Sequence, residues 1–361
     1  MFAPLQLDQF DYQLHPELIA HQPLSKRDHS RLMVVDRQAL SINEKNFYDL
    51  PNLLRPGDVL VRNNTKVIPA RLIGHKPTGG RVEILLTKPK DSDWIEWECL
   101  AKPWPKNPTM FKFAHSHLTA HFDQGKIIFS GVNLIRDELL KIGQTPLPPY
   151  LHSPLAPQKQ QQVYQTTFAK KYGSVAAPTA SLHFTPELDK QLEAKGVEIL
   201  EIELHVGLGT FLPVKTADIT QHKMHSEWFC LNKTTAAKLN QAKRASRRII
   251  AVGTTSLRVL ESCADESGHI TAQSGETSIF IYPPYRFKTV SGLITNFHLP
   301  KTTLLMLVSA FVSFPNTKQK FTEFRTCLIG QAYSLAITNH YRFFSFGDSM
   351  LITWKSYSPN W

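Results

Sequence analysis

A change in hydrophobic pattern along the chain constrains its fold more than any other feature. From residue 56 to residue 129, short apolar runs rich in β-branched and aromatic residues follow one another without a helix-length periodic segment between them. This series predicts an antiparallel β-barrel or sandwich. The runs are residues 59–61, 67–73, 82–87, 94–100, 118–122 and 127–129.

The pattern changes after residues 154–162, a stretch rich in glutamine, lysine and proline that we interpret as a linker. Thr185 followed by Pro186 predicts the start of a helix, and Gly196 predicts its end. Strands and helices alternate from there on, which predicts an α/β layer structure. They are a strand at 197–206, a helix at 233–245, a strand at 248–252, a loop at 253–256 and a helix at 257–263.

The chain is basic, with 41 lysines and arginines against 30 acids and a formal charge of +11. Two regions carry much of this excess: residues 62–90 contain seven bases and one acid, and residues 233–259 contain no acid. Such regions favour a polyanionic partner such as RNA, although a basic run on a helix is also typical of a solvated face.

The expected cellular compartment and class of protein follow from motifs that are absent from the sequence. The four cysteines form no C-x-x-C pair, so neither a zinc ribbon nor a disulfide framework is indicated, and a reducing compartment is expected. The N-terminus has no secretory pattern, and the longest apolar stretch, residues 304–312, is too short to span a membrane. We therefore expect a cytoplasmic protein without a membrane segment.

Two features suggest a ligand site in the second half of the chain. Residues 252–256, Val-Gly-Thr-Thr-Ser, join a strand to a helix, where free N–H groups and hydroxyls could bind a carboxylate or phosphate; ordinary helix capping is the alternative. His205 lies at the end of a predicted strand, the segment that contains His298 has the same form, and ligands of open α/β sheets collect at the carboxyl ends of strands. Either histidine could equally be a hydrogen-bonded structural residue.

His222, His225 and Glu227 lie close together in sequence, which raises the question of a metal site. On a strand, however, His222 would face away from the other two. We therefore favour a pocket in which the carboxylate of Glu227 orients His225 for proton transfer. Residues 341–348, Tyr-Arg-Phe-Phe-Ser-Phe-Gly-Asp, predict a buried aromatic strand or, alternatively, a ring that stacks on a base while Asp348 binds an amine.

Eight ordered segments together carry a resemblance that covers about residues 10–353. They are residues 63–72, 147–150, 175–184, 204–211, 222–227, 251–256, 295–300 and 341–348. In them the chain resembles the bacterial S-adenosylmethionine:tRNA ribosyltransferase-isomerases of queuosine biosynthesis. It departs from that family at Ser181 and Pro284, where glycine is usual.

The resemblance implies a larger α/β layered domain with a smaller inserted antiparallel β-barrel domain. The α/β catalytic domain would comprise residues 1–62 and 150–361, and the barrel residues 63–149. It also implies transfer and isomerisation of the ribosyl group of S-adenosylmethionine onto 7-aminomethyl-7-deazaguanine at the tRNA wobble position, giving epoxyqueuosine-tRNA, adenine and methionine. S-adenosylmethionine would be a co-substrate, no metal or permanently bound cofactor is implied, and we expect a monomer.

Site residues are assigned on these segments and, for Arg258, just after the segment 251–256. We predict catalytic roles for His183, His205, His225, Glu227, His298 and Asp348. We predict substrate binding by Asn63, Asn64, Thr65, Arg71, Thr179, Gly253, Thr254, Thr255, Ser256, Arg258 and Arg342. Some of the histidines would transfer protons, Asp348 would bind the aminomethyl group, and either Arg342 or residues 253–256 would bind the methionine carboxylate. A non-catalytic RNA-binding protein and a metal-dependent hydrolase are the competing classes.

Overall fold

The fold is described from a computed structural model, which covers residues 5–148, 151, 153–207 and 214–354. Its strands are β1 (Arg31–Asp36), β2 (Ser41–Asn46), β3 (Val59–Asn63), β4 (Thr65–Val67), β5 (Arg71–His75), β6 (Arg81–Pro89), β7 (Glu96–Lys102), β8 (Thr109–Phe113), β9 (Thr119–Asp123), β10 (Lys126–Ser130), β11 (Lys171–Ser174), β12 (Glu198–Leu204), β13 (Glu227–Leu231), β14 (Ile249–Val252), β15 (Gln273–Thr277), β16 (Gly292–Asn296) and β17 (Ser349–Thr353). Its α-helices are α1 (Leu50–Leu53), α2 (Ile135–Ile142), α3 (Pro157–Val163), α4 (Pro186–Ala194), α5 (Lys233–Arg244), α6 (Gly253–Ser262), α7 (Thr303–Phe311) and α8 (Leu328–Thr338).

Nine strands form one large mixed sheet in the order β15-β13-β12-β3-β14-β16-β17-β1-β2. The four central strands β12, β3, β14 and β16 are parallel. Strands β13 and β17 run antiparallel to their central neighbours, so they begin where the central strands end. We call this border, where β3 ends at Asn63, β12 at Leu204, β14 at Val252 and β16 at Asn296, the carboxyl edge.

Helix α4, which flanks this sheet, has residues at both ends that are typical of helix caps. At α4, the Oγ1 of Thr185 accepts a hydrogen bond from the backbone N–H of Leu188 at 3.2 Å, and Pro186 is the first helical residue. Gly196 follows the helix with a φ of +85°, a conformation that glycine adopts without strain. The predicted helix after Thr185 and the helix predicted at 233–245 are both confirmed.

Six strands, β5 to β10, close into an antiparallel barrel in the order β10-β7-β6-β5-β8-β9. Alternate residues fill its interior, as in β6, where Val82, Ile84 and Leu86 are buried. Trp97 is fully buried in the barrel core, and its ring N–H donates to the carbonyl of Trp94 at 2.9 Å. The expected fold class, an α/β layer structure with an antiparallel barrel, is thus confirmed.

The chain enters and leaves the barrel at neighbouring points. The backbone N–H of Arg71 donates to the carbonyl of Gln144 at 3.1 Å, and the N–H of Gln144 donates to the carbonyl of Arg71 at 2.8 Å. The domain boundaries expected at residues 63 and 149 stay predictions, and residue 149 lies outside the described residues.

Two local predictions for the barrel region were wrong, and one strand was missed. Residues 59–61 belong to β3 in the centre of the large sheet, because their side chains are buried between helices and neighbouring strands rather than in the barrel. Residues 67–73 are divided between β4, which pairs with β11, and β5 of the barrel. Strand β8 was not predicted, since only Phe111 and Phe113 of its residues face the barrel core.

The stretch interpreted as a linker contains helix α3. Pro157 occupies its first position, which suits the fixed φ of proline and loses no internal hydrogen bond. The guanidinium of Arg27 donates to the carbonyls of Gln162 and Gln165 at 3.1 and 2.6 Å, and so ties the end of this helix to the N-terminal segment.

Among the described residues, no helix is long and apolar enough to cross a membrane. The apolar stretch at residues 304–312 is instead part of α7, whose Leu305, Met306 and Val308 are buried in the main core.

Candidate active site

An open cleft lies at the carboxyl edge, with an empty volume of about 670 Å³ when its part open to solvent is counted. Its lining consists of residues 177–180, Val206, residues 253–255 and 295–299, Thr302, Leu304 and residues 344–345. None of these described residues is an aspartate, glutamate, lysine or arginine, so the wall of the cleft carries no formal charge at neutral pH. Five of the predicted site residues line it: Thr179, Gly253, Thr254, Thr255 and His298.

The amino end of α6 forms one wall of the cleft. Residues 253–256 are the first turn of this helix and not the predicted loop, because Gly253 turns the chain with a φ of +87° directly after β14. Val252 occupies the N-cap position and has no side-chain acceptor. The hydroxyl of Ser256 donates to the carbonyl of Val252 at 2.8 Å and is used within the helix.

His298 also lines the cleft, after β16. Its Nε2 is 2.9 Å from the hydroxyl of Thr295, and its backbone N–H donates to the Tyr333 hydroxyl at 2.8 Å. Its backbone carbonyl accepts a hydrogen bond from the hydroxyl of Tyr12. Burial lowers the pKa of His298 to about 3. The imidazole is therefore neutral at physiological pH.

His183 is one hydrogen bond behind the cleft. Its Nδ1 is 2.8 Å from the hydroxyl of Ser30, and its Nε2 is 3.4 Å from the side-chain nitrogen of Asn296. Asn296 in turn accepts a hydrogen bond from the Thr179 hydroxyl at 2.9 Å. Burial lowers the pKa of His183 to about 4. Asn296 thus connects a neutral buried histidine to a hydroxyl in the cleft wall.

A buried ion pair lies one helical turn along α6 from the cleft. Arg258 donates to the carboxylate of Glu227 at the start of β13, and their side chains are only 2% and 3% exposed. The other carboxylate oxygen of Glu227 accepts the backbone N–H of Gly207 at 2.9 Å. Two guanidinium nitrogens of Arg258, Nε and Nη2, have no hydrogen-bond partner among the described residues.

His205 faces away from the cleft, although the next residue, Val206, lines it. Its Nε2 is 2.9 Å from the carboxylate of Glu203, which also binds Lys171 at 2.9 Å. The ring lies against Trp228 in a tilted arrangement, with ring centroids 4.6 Å apart, and packs against Gly173, where an added Cβ would be 2.1 Å from the ring. Leu208, Gly209 and Thr210 of this predicted motif, like Pro149 and Tyr150 of another, lie outside the described residues.

His225 is exposed just before β13, outside the cleft lining. The strand assumed for His222 begins only at Glu227, so the alternation argument does not apply to it. His222 instead makes an edge-to-face contact with Phe280, with ring centroids 5.3 Å apart. The contacts of Glu227 given above are with Arg258 and Gly207. Within the described ranges, no group of three His, Cys, Asp or Glu residues is arranged to hold a metal ion.

Asn63, Asn64 and Thr65 join two strand ends at the carboxyl edge. The Asn63 side chain donates to the carbonyl of Leu204 at 2.9 Å and accepts the N–H groups of Leu204 and Thr65, both at 3.1 Å. Asn64 donates to Glu201 at 3.1 Å. These contacts hold the end of β3 against the end of β12, and none of the three residues lines the cleft.

Residues 341–348 form a loop and not the predicted strand. The carboxylate of Asp348 accepts the backbone N–H groups of Arg31 at 2.9 Å and Arg342 at 2.8 Å. Burial raises the pKa of Asp348 above its ordinary value. The Arg342 guanidinium donates to the carbonyl of Gln22 and is outside the cleft lining. Phe344, with a φ of +71°, is the aromatic residue of this loop that lines the cleft.

Many cations of the two basic regions are paired within the chain. Arg71 lies on barrel strand β5 and binds Glu83 at 2.7 Å. Other intramolecular pairs are Arg62 with Asp189, Lys88 with Glu276, Lys90 with Glu98, Lys238 and Arg247 with Glu198, and Arg248 with Asp58. Lys233 and Lys238 are exposed on α5, as expected of a solvated face. RNA binding by these regions stays a prediction.

Sequence reasoning missed several polar contributors to the site. Asn296 was part of a quoted segment but received no role, and its position at the end of a buried strand was the available signal. Outside the cleft, Glu203 precedes His205 by two residues, which is a local signal for the pair that forms there. Thr302 of the α7 N-cap lines the cleft from a segment that carried no motif.

With this geometry established, comparison with known proteins identifies the family. The family model described as "Queuosine biosynthesis protein" matches residues 7–352. The chain is 50% identical over 355 residues to the S-adenosylmethionine:tRNA ribosyltransferase-isomerase of Carboxydothermus hydrogenoformans, covering 96% of this chain and 100% of that protein. It is 48% identical over 357 residues to the protein of the same name from Symbiobacterium thermophilum, with the same coverage.

A solved structure gives the same result. The crystal structure of S-adenosylmethionine tRNA ribosyltransferase from Thermotoga maritima matches with a TM-score of 0.53 and 35% sequence identity, over 95% of this chain and 99% of that one. A family model that spans nearly the whole chain and relatives of about 50% identity leave one conclusion. The chain belongs to the queuosine biosynthesis protein family.

Proposed function

We propose that this chain is an S-adenosylmethionine:tRNA ribosyltransferase-isomerase, a transferase that acts on 7-aminomethyl-7-deazaguanine at the tRNA wobble position. The aminomethyl nitrogen would take the ribosyl carbon skeleton of S-adenosylmethionine, methionine would leave with the electrons of its carbon–sulfur bond, and adenine would leave from the ribose. A proton must be removed from the 5′ carbon and adenine must be protonated as it departs. Epoxyqueuosine in the tRNA is the expected product.

The observation that carries this proposal is the uncharged cleft at the carboxyl edge. Ligands of open α/β sheets bind at the carboxyl ends of the strands, and the cleft lies at that edge of this sheet. S-adenosylmethionine carries a sulfonium cation, and the described lining of the cleft contains no lysine or arginine that would repel it. The relatives named above carry this activity in their names.

We assign His298 a hydrogen bond to the ribosyl or adenine part of the substrate. A histidine with a pKa of about 3 stays neutral beside the sulfonium, so it neither repels the substrate nor needs a counterion. His183 would act as a positioning residue, because it reaches the cleft through Asn296 and Thr179. Direct proton transfer by His205 or His225 stays a prediction, as does the orienting role of Glu227.

For Asp348 we propose a role different from amine binding. Both of its carboxylate oxygens already accept backbone N–H groups, which fixes the loop that carries Phe344 to the cleft. Asp348 would therefore act as a positioning residue. Phe344 offers an aromatic face for stacking on a base.

Adenine release tests the proposed function. Purified protein is incubated with S-adenosylmethionine and tRNA carrying the deazaguanine, and free adenine is measured with and without EDTA. We expect release that depends on both substrates and is unaffected by the chelator. Salt-sensitive tRNA binding without adenine release would indicate a non-catalytic RNA-binding protein, and loss of activity with EDTA would indicate a metal-dependent enzyme.

A further inference from the structure

The amino end of α6 is buried but has no capping side chain. Thr254 and Thr255 are 6% and 7% exposed, and the side chain of the N-cap residue Val252 cannot accept a hydrogen bond. The first N–H groups of a helix have no acceptor within the helix, so they need a side chain, water or a ligand. The amino end of α6 therefore presents backbone N–H donors at the cleft, and no side chain at the N-cap position accepts their hydrogen bonds.

A second observation at the same place is independent of the backbone. The Oγ1 of Thr255 is buried and has no hydrogen-bond partner among the described residues, and Thr255 lines the cleft. A buried hydroxyl without a partner costs free energy unless a bound group satisfies it. The hydroxyl and the helix N–H groups are thus available to the same ligand.

A second helix adds to the positive potential of the cleft. Thr302 and Leu304, at the start of α7, also line it. Helix amino ends carry a partial positive charge, so two of them attract an anion even though the described wall contains no lysine or arginine.

We propose that the amino end of α6, with the hydroxyl of Thr255, binds the carboxylate of the methionine group of S-adenosylmethionine. This inference rests on the proposed function and decides between the two candidates that the sequence left open. The alternative, Arg342, donates to the carbonyl of Gln22 and does not line the cleft. A carboxylate held only by N–H and O–H donors leaves the site without a cation that would repel the neighbouring sulfonium.

The test compares two ligands that differ only in the carboxylate. Dissociation constants of S-adenosylmethionine and decarboxylated S-adenosylmethionine are measured by calorimetry for the wild type, Thr255→Val and Thr255→Ser. We expect Thr255→Val to weaken S-adenosylmethionine binding by about 10- to 100-fold, the effect of losing a hydrogen bond to a charged group. Binding of the decarboxylated ligand should be unchanged, and Thr255→Ser should restore binding of the full substrate.

Thr87→Val, on barrel strand β6, is the matched control and should bind both ligands as the wild type does. Thermal unfolding of each variant checks that it is folded. The inference is overturned if the wild type binds S-adenosylmethionine but Thr255→Val binds it equally well, or if the variant weakens both ligands alike. If the wild type binds neither ligand and releases no adenine, the proposed function fails as well.

Discussion

The barrel and the carboxyl edge of the large sheet satisfy their polar groups in different ways. Across residues 71–130, all of them described, no buried side-chain nitrogen or oxygen lacks a hydrogen-bond partner, and ion pairs such as Arg71 with Glu83 are half-exposed. Around the carboxyl edge, unpartnered buried atoms remain on Ser181, Thr255, Arg258, Thr303 and Ser349 among the described residues.

This difference indicates which region is complete by itself. A protein interior normally leaves few polar groups without a partner, because each costs free energy. The barrel follows this rule within its own residues. The carboxyl edge does not, which is typical of a region whose last hydrogen bonds are made with a ligand.

The largest expected effect comes from the two ion pairs, one in each region. Arg258→Met should lower the free energy of unfolding by about 3–5 kcal/mol, because it leaves the Glu227 carboxylate buried without its cation. Arg71→Met removes a half-exposed pair and should cost less than about 1 kcal/mol. Urea unfolding of both variants measures the difference. Equal losses of unfolding free energy would show that the ion pair at the carboxyl edge stabilises the fold no more than the ion pair in the barrel does.

The next effect is a pH dependence from His183 and His298. Burial lowers their pKa values to about 4 and about 3 from an ordinary 6.5, so the folded protein keeps both neutral. Their contribution to the free energy of unfolding is complete above pH 6.5. It is lost as the pH falls toward 4 and 3, because in that range the unfolded chain takes up protons and the folded protein does not. Each should lower the free energy of unfolding by about 1.4 kcal/mol per pH unit in this window.

Urea unfolding at pH 7.5, 6.5, 5.5 and 4.5 measures this slope. His298→Gln should make it shallower than in the wild type, whereas His121→Gln, an exposed histidine on barrel strand β9, should leave it unchanged. Identical slopes for the wild type and His298→Gln would contradict the assignment of a neutral buried imidazole.

The smallest expected effect compares two hydroxyls. Thr255→Val removes a buried hydroxyl without a partner and should raise the free energy of unfolding by about 1 kcal/mol. Thr87→Val removes a hydroxyl that donates to the carbonyl of Glu98 at 3.0 Å in the barrel, and should lower it by about 1 kcal/mol. If chemical denaturation shows that both substitutions change the free energy of unfolding in the same direction, the contrast between the two regions is contradicted.

Local chemistry made part of the fold predictable. The alternation in β12 placed Ile202 and Leu204 in the core, and Thr185 and Gly196 marked the ends of α4. These signals depend on neighbouring residues only. The carboxyl-edge cleft was predictable as well, since it follows from the rule that strand ends in such sheets form binding sites.

Long-range pairing was not predictable from the same signals. Glu227 binds Arg258, which is 31 positions away in sequence, and no local pattern indicated this pair. No local pattern indicated that cations of the two basic regions are paired with acids, yet Arg62 binds Asp189 and Arg248 binds Asp58. Which opposite charges meet depends on the tertiary arrangement, which composition and spacing do not contain.

The conformation of residues 253–256 shows a further limit. Glycine, threonine and serine are typical of both loops and helix ends, so their presence did not separate a loop from the first turn of α6. The positive φ of Gly253 made the strand lead directly into the helix, and this is a property of backbone geometry that the residue types permit but do not require.

The paired hydrogen bonds between Arg71 and Gln144 have a consequence for the history of this architecture. A module whose two ends touch can be gained, lost or exchanged in one recombination event, because the host needs only a short turn to close the gap. Strand β3 precedes the barrel in the chain and strand β12 follows it, yet the two strands are direct neighbours in the large sheet. Such an exchange would leave their pairing intact, so the two parts of the molecule are free to diverge at different rates.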